Sequence, residues 1–261
     1  MKNIFAVYTR ELKSYFISPI FYILAAVFLI VIGNAFKDMF FGFASDTMRL
    51  LRLAQNYGGN IPIRNVNSCV SSLFSIMNFI LILIVPLLTM RLYAEEKKNG
   101  TMELLMTSPI TTTQVLMGKF LSCLSIYFFM VAFTIVFNIL MMFYSKGNLD
   151  WGPVLTGYIG TLLLGTAIIP IGMFFSSLTE NQIVAAVLTT TFIMGMWLLV
   201  FTANYLRAPL KFFIMYFSLS FHLDSFSVGY LSIKHIVYYL SVSTFFLFIT
   251  GISVESTRWR H

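Results

Sequence analysis

Five stretches of this chain, residues 72–90, 120–143, 154–175, 183–203 and 236–254, contain no Asp, Glu, Lys or Arg. Each meets or closely approaches the about 20 apolar residues that an α-helix needs to cross about 30 Å of hydrocarbon. A sixth stretch, 19–36, is slightly short but equally uncharged. Within hydrocarbon every backbone N–H and C=O must find a partner inside the segment, so such stretches fold as helices. The expected fold class is therefore all-α: a polytopic membrane helix bundle with six transmembrane helices and both termini on the same side. Composition agrees, because 58% hydrophobic residues against 10% charged would leave a soluble domain of 261 residues too little polar surface.

The segments between the spans have readings of their own. Residues 1–18 place Ile4, Phe5, Tyr8, Leu12, Tyr15 and Phe16 on one helical face and Lys2, Asn3, Thr9, Arg10 and Lys13 on the other. That pattern predicts a helix lying in the membrane interface, and the stretch lacks an early small-residue cleavage site, so it does not read as a secretory signal. Residues 209–221 are aromatic and apolar but short and carry Lys211. They read as one arm of a re-entrant hairpin within an outer segment 204–235 that leads into the last span. Nine basic residues fall on the side of the termini and eight on the other; the longer loops on the second side dilute theirs, which favours cytoplasmic termini. The net charge of +7 fits anionic headgroups rather than nucleic acid.

The inner loop 91–119 is the richest in signals. The second span is expected to continue as a helix through Glu95 and Glu96 and stop at Asn99-Gly100, since glycine commonly follows a helix C-terminus. Thr101 can cap a short helix with Glu103 near its positive end, ended by Ser108-Pro109. Thr111 and Gln114 have capping-box spacing at the start of the third span. The other inner connection, 176–182, offers Ser177 with Glu180, or Thr179 with Gln182, at the same spacing. In the fourth span Gly157, Thr161 and Gly165 recur every four residues, a small-residue face for close packing within the bundle, and Pro170 is a candidate kink.

Several chemistries have no matching residues. There is no GxxxxGK[ST] loop, GxSxG elbow or HExxH helix, so no nucleotide phosphate site, hydrolytic nucleophile or zinc site is expected. Cys69 and Cys123 have neither CxxC nor zinc spacing. His222 and His235 lie in the outer hairpin region and His261 is the last residue, so no paired-histidine site between spans is expected. The spans carry no ionisable residue of the sort that proton-coupled carriers keep at high cost. An apolar pathway driven by an external energy source remains. Its rivals are an ion-coupled secondary transporter or channel using Asn34, Asn78, Asn138 and Thr189 to Thr191, and a non-transporting membrane scaffold of a motility or respiratory complex.

The segment RLYAEEKKNGTMELLMTSPITTTQVLMGKF, residues 91–120, resembles permease subunits of type-2 ATP-binding-cassette (ABC-2) transporters, in particular the gliding-motility-type branch of bacteria. FFSSLTENQIVAAV at 174–187, HLDSFSVGYLSIKHIVYYLSV at 222–242 and VESTRW at 254–259 support it, and the resemblance spans nearly the whole chain. It implies a single ABC-2 type transmembrane domain over 1–261, in the bacterial cytoplasmic membrane with both termini cytoplasmic. The chain itself would be no enzyme: ATP and Mg would be bound by a partner cytoplasmic ATPase, driving export of a substrate the sequence does not specify. A second permease would complete the assembly, either as a homodimer or as a heterodimer with a chain bearing a large extracytoplasmic domain. The resemblance also assigns Glu95, Glu96, Gly100, Thr101 and Glu103 to the main ATPase-coupling loop, and Thr179, Glu180, Asn181 and Gln182 to a second, smaller contact.

Overall fold

A computed structural model describes residues 2–57, 66–102, 110–144, 149–203 and 205–258. The described residues form helices and no strand: α1 Lys2–Ile17, α2 Pro19–Tyr57, α3 Val66–Thr89, α4 Arg91–Lys98, α5 Thr112–Phe133, α6 Ile135–Tyr144, α7 Trp151–Leu178, α8 Gln182–Ala203, α9 Leu210–Phe217, α10 Leu219–Ser227 and α11 Ile233–Arg258. Among the described residues six helical stretches are long and apolar enough to cross a membrane: Pro19–Leu50, Asn67–Lys98, Thr112–Tyr144, Trp151–Leu178, Gln182–Ala203 and Ile233–Ser256. They correspond one to one with the six uncharged stretches.

The first stretch is much longer than its uncharged core. α2 holds 39 residues, about 58 Å of helix at 1.5 Å per residue, because the polar positions after Phe36 keep helical periodicity and no Pro or paired Gly intervenes. Its most apolar window is only 17% buried, against 67% for Trp151–Leu178, so α2 is peripheral and α7 is the central rod. α7 packs against α3, α4, α5, α8, α10 and α11. Close approach there depends on the small-residue face: a Cβ at Gly157 would overlap the Phe74 ring, and one at Gly165 would overlap Tyr127. The Tyr127 hydroxyl donates to the Thr161 carbonyl at 2.7 Å. The Gly157, Thr161, Gly165 stripe thus receives aromatic side chains from α3 and α5. Pro170 is accommodated inside α7 without ending it.

The third stretch is jointed at Thr134, between α5 and α6. Its hydroxyl donates back to the Val131 carbonyl at 2.6 Å and meets the Tyr158 hydroxyl at 3.1 Å, the side-chain competition with the backbone that bends helices. The segment 205–235 contains the two short helices α9 and α10, joined at Ser218. It is fastened to the bundle by Thr156, whose hydroxyl donates to the Phe226 carbonyl at 2.7 Å, and by Tyr239, whose hydroxyl donates to the Leu219 carbonyl at 2.8 Å.

That segment also departs from expectation at its histidines. No spacing or motif pairs them, yet Nδ1 of His222 lies 2.6 Å from Nδ1 of His235. His222 Nε2 faces the Tyr216 carbonyl at 2.9 Å, and His235 Nε2 faces the Ser225 hydroxyl at 3.1 Å. A carbonyl only accepts, so His222 carries its proton on Nε2 and its Nδ1 accepts from His235 Nδ1–H. His235 Nε2 then accepts from Ser225. Thirteen residues separate the pair, and the turn at Gly229, with φ +102°, folds α10 back onto the start of α11. Among the described residues no group of three or more His, Cys, Asp or Glu side chains is arranged to hold a metal ion.

Candidate functional site: the α1, α4 and α5 junction

The end of the bundle carrying the loop 91–119 is built around a break between α3 and α4. Pro86 lies inside α3, and the helix turns at Met90 before resuming as α4. Ser176 of α7 enters the backbone ladder at that point. Its hydroxyl donates to the Met90 carbonyl at 2.8 Å and accepts from the Tyr93 and Ala94 amides, each at 3.1 Å. A side chain inserted between a carbonyl and the amide four residues on is a recognised cause of a helix bend. One residue farther, the Ser177 carbonyl accepts from the Lys97 ammonium. α4 is thereby stitched to the end of α7 just before the connection 179–181 begins.

A closed ring of four charges joins α4 to α1 and α5. The Lys119 ammonium bonds Glu11 Oε1 at 3.1 Å and Glu96 Oε1 at 2.8 Å, and Arg10 bonds the same two oxygens at 2.8 and 3.0 Å. Lys119 also donates to the Leu92 carbonyl at 2.7 Å, and its side chain is 1% exposed. Burying an ammonium is tolerable only with such partners. For Glu11, burial pushes the carboxyl pKa up, but Lys119 and Arg10 beside it prevail and hold it below the ordinary 4.5. α1 is drawn close enough for this by Gly118, where a Cβ would stand 2.8 Å from the Val7 Cβ. The Tyr15 hydroxyl donates to the Leu88 carbonyl at 2.9 Å and ties the same helix to α3.

The expected apolar face of α1 is divided between the bundle and its surround. Val7 and Tyr15 are buried and Glu11 is held in the ring, whereas Phe5 and Phe16 point outward. Ion pairing draws Glu11 inward, and the two phenylalanines are left for an apolar surround. Between α1, α4 and α5 lies a cleft of about 380 Å³ whose lining includes Ser14, Tyr15, Arg91, Glu95, Glu96 and Lys119.

A family model described as "ABC-2 family transporter protein" matches residues 5–213. The chain belongs to the ABC-2 transporter family. It is accordingly a multi-pass membrane component of such a transporter, not its ATPase. Comparison with curated proteins gives no match.

Within this family member the residues singled out in the sequence take distinct places. Glu95 is exposed on α4 and lines the cleft; Glu96 belongs to the ring. α4 ends with Asn99 as its cap and Gly100 at φ +67°, the left-handed turn that glycine adopts without strain. Thr101 donates its hydroxyl to the Glu96 carbonyl at 3.3 Å. Glu103 and Ser108-Pro109 lie outside the described residues. The Thr111 and Gln114 capping box forms and starts α5.

In the second connection neither expected capping pair forms. The Asn181 side chain caps α8 by accepting from the Ile183 amide at 2.9 Å, while the Thr179 hydroxyl accepts from the Asn181 amide at 3.1 Å. Ser177 instead turns to the Phe174 carbonyl and the Ser253 hydroxyl, Glu180 is exposed, and Gln182 opens α8. Both connections sit at one end of the bundle, with α4 packed against α7 and α8. Sequence reasoning missed Arg10, Glu11, Arg91 and Lys119 as members of the site. The available signal was Lys119 itself, a lone cation directly before an uncharged span, which requires an anion from elsewhere in the chain.

Proposed function

We propose that the chain is the permease subunit of an ATP-driven ABC-2 exporter of the gliding-motility type. It would lie in a bacterial cytoplasmic membrane with both termini in the cytoplasm, and pair with a second permease, either an identical copy or one bearing a large extracytoplasmic domain. ATP and Mg belong to a separate ATPase, which seats on α4, the turn at Asn99 and Gly100 with the residues that follow it to Glu103, and the connection Thr179 to Gln182. In this reading α9 and α10 form a hairpin dipping into the opposite face of the membrane. The EExxxGTxExLxxSP pattern starting at Glu95 supports the branch and the coupling role.

The observation that carries the reading is the rigid union of α4 with α1, α5 and α7 through the Lys119 ring and the Ser176 insertion. A push on α4 cannot be absorbed locally, so it passes to the central rod and tilts the spans, a rigid-body route for closure of the ATPases to open a path through the membrane. Of the polar residues that a channel would use instead, Asn34, Thr189 and Thr190 bond within their own helices, to the Ile30, Ala185 and Ala186 carbonyls, while Asn78 is buried with its side-chain oxygen unpartnered. Asn138 donates to the Tyr158 hydroxyl.

The test is reconstitution with the ATPase that co-purifies. A flexible residue inserted after Gly100, or alanine at Glu95 or Glu103, should leave ATP hydrolysis running while transport is lost, at normal permease expression. Unchanged transport in all three variants, or purification without any ATPase, would remove the proposal.

A further inference from the structure

The cleft between α1 and α4 holds two charges that the ring does not use. Arg91 and Glu95 are four residues apart on one face of α4, a spacing at which opposite charges can pair across a helical turn. They form no ion pair with one another or with any other described residue. Arg91 lies instead over the Tyr15 ring, its guanidinium carbon 4.2 Å from the centroid, an attraction that fixes the cation without neutralising it. Glu95 is exposed. Ser14, also exposed, adds a hydroxyl to the same lining. The ring behind them contributes two positive and two negative charges and is neutral as a whole. The unsatisfied part of the cleft is therefore one cation and one anion, about one helical turn apart.

The level of the cleft narrows what can fill it. α1 turns Phe5 and Ile17 outward at 66% and 81% exposure, and it leads directly into the apolar stretch beginning at Pro19, so its outer face suits the headgroup and acyl boundary. Arg91 follows Met90 at the polar end of the second apolar stretch. This placement suits an open pair at the depth of lipid headgroups. The geometry points to a binding site for an aminophospholipid headgroup, with the phosphate diester on Arg91 and the Ser14 hydroxyl and the primary ammonium on Glu95. Such a headgroup presents an anion and a hydrogen-bond-donating cation two carbons apart, complementary in sign and order to α4. Phosphatidylcholine has no N–H donor for Glu95, and phosphatidylglycerol has no cation. The site shares α4 and Glu95 with the coupling surface proposed above, and it is therefore tested on the permease alone, where failure to bind lipid leaves the coupling role untouched.

The experiment uses the full permease alone, purified in mild detergent, delipidated and offered equal amounts of phosphatidylethanolamine, phosphatidylcholine and phosphatidylglycerol with matched acyl chains. Native mass spectrometry then counts the retained lipid. Phosphatidylethanolamine should be retained about tenfold over either competitor, a difference that one charge-assisted contact can supply. Arg91→Gln and Glu95→Gln should each bring it down to the level of phosphatidylcholine. Glu95 is exposed, so Glu95→Gln keeps its fold and decides the matter should Arg91→Gln aggregate. Competition with soluble glycerophosphoethanolamine distinguishes the source of the headgroup: weak displacement identifies the membrane lipid, and complete displacement at equal concentration identifies a soluble ester and overturns the lipid assignment. Equal retention of the three lipids, or retention unaffected by Glu95→Gln, also overturns it. So does a cleft that holds no lipid while Arg91→Gln abolishes ATPase co-purification, since it would then be a protein seat.

Discussion

Replacing Lys119 by methionine keeps most of the side-chain volume and removes the cation at the centre of the charge ring. The Glu11 and Glu96 side chains are only 13% and 15% exposed, and Lys119→Met leaves them sharing Arg10 as their one cation. Removing one partner from a buried ion pair costs about 3–5 kcal/mol. Arg10, 55% exposed, stays in place and compensates in part, so a loss of about 2–4 kcal/mol is expected by the same reasoning. The penalty arises from uncompensated carboxylate, not from lost volume, and so a second change that removes a negative charge should restore stability. Lys119→Met/Glu96→Gln is expected to recover at least about 1 kcal/mol relative to Lys119→Met, a coupling of the size seen between contacting residues. Equilibrium unfolding of the detergent-solubilised permease, run for the wild type, both single variants and the double variant, gives all four corners of the cycle. A loss below about 0.5 kcal/mol for Lys119→Met, or a double variant no more stable than it, would refute the ring as a structural joint.

Gly165→Ala should destabilise the bundle by about 1–3 kcal/mol through overpacking against Tyr127, whereas Gly195→Ala, with nothing within 4 Å of the added Cβ, should be neutral or slightly stabilising in the same unfolding assay. In α10, burial first and the neighbouring His235 and Lys234 charges hold the His222 pKa down, to about 4 from 6.5, against the opposing bond to the Tyr216 carbonyl. The unfolded chain then binds more protons than the folded one between those values, so His222 contributes its full stability above pH 6.5 and loses it as pH falls toward 4. Thermal unfolding of the solubilised protein at pH 7.5, 6 and 5 should show a falling midpoint whose slope flattens in His222→Gln; an identical slope in the variant would contradict the neutral hydrogen-bonded pair.

Features encoded locally were legible in the sequence. Six spans follow from runs without charge, the Gly100 turn from a glycine after a helical run, and the α5 start from Thr111 and Gln114 three residues apart. The ring was not legible as such, because Glu11 and Lys119 are 108 residues apart and Arg10 and Glu96 are 86 apart. Single-residue patterns placed Arg10 on a polar face and treated Glu96 as a contact for another protein; only the meeting of α1, α4 and α5 brings the four charges together. The paired histidines were hidden for a similar reason: their approach depends on the fold-back at Gly229. The α8 cap shows the opposite failure. Two capping-box spacings suggested starts at Ser177 and Thr179, but α7 runs on to Leu178 and leaves Asn181 to cap the next helix.

Coupling as proposed requires the α4 elbow to face the cytoplasm, where an ATPase can reach it. Cys69 and Cys123 are buried, so a cysteine introduced at exposed Asn99 can be labelled selectively with a membrane-impermeant maleimide. The cysteine should stay unlabelled in intact cells and react fully once the membrane is permeabilised. Full labelling in intact cells would place the elbow on the outer face and contradict the account.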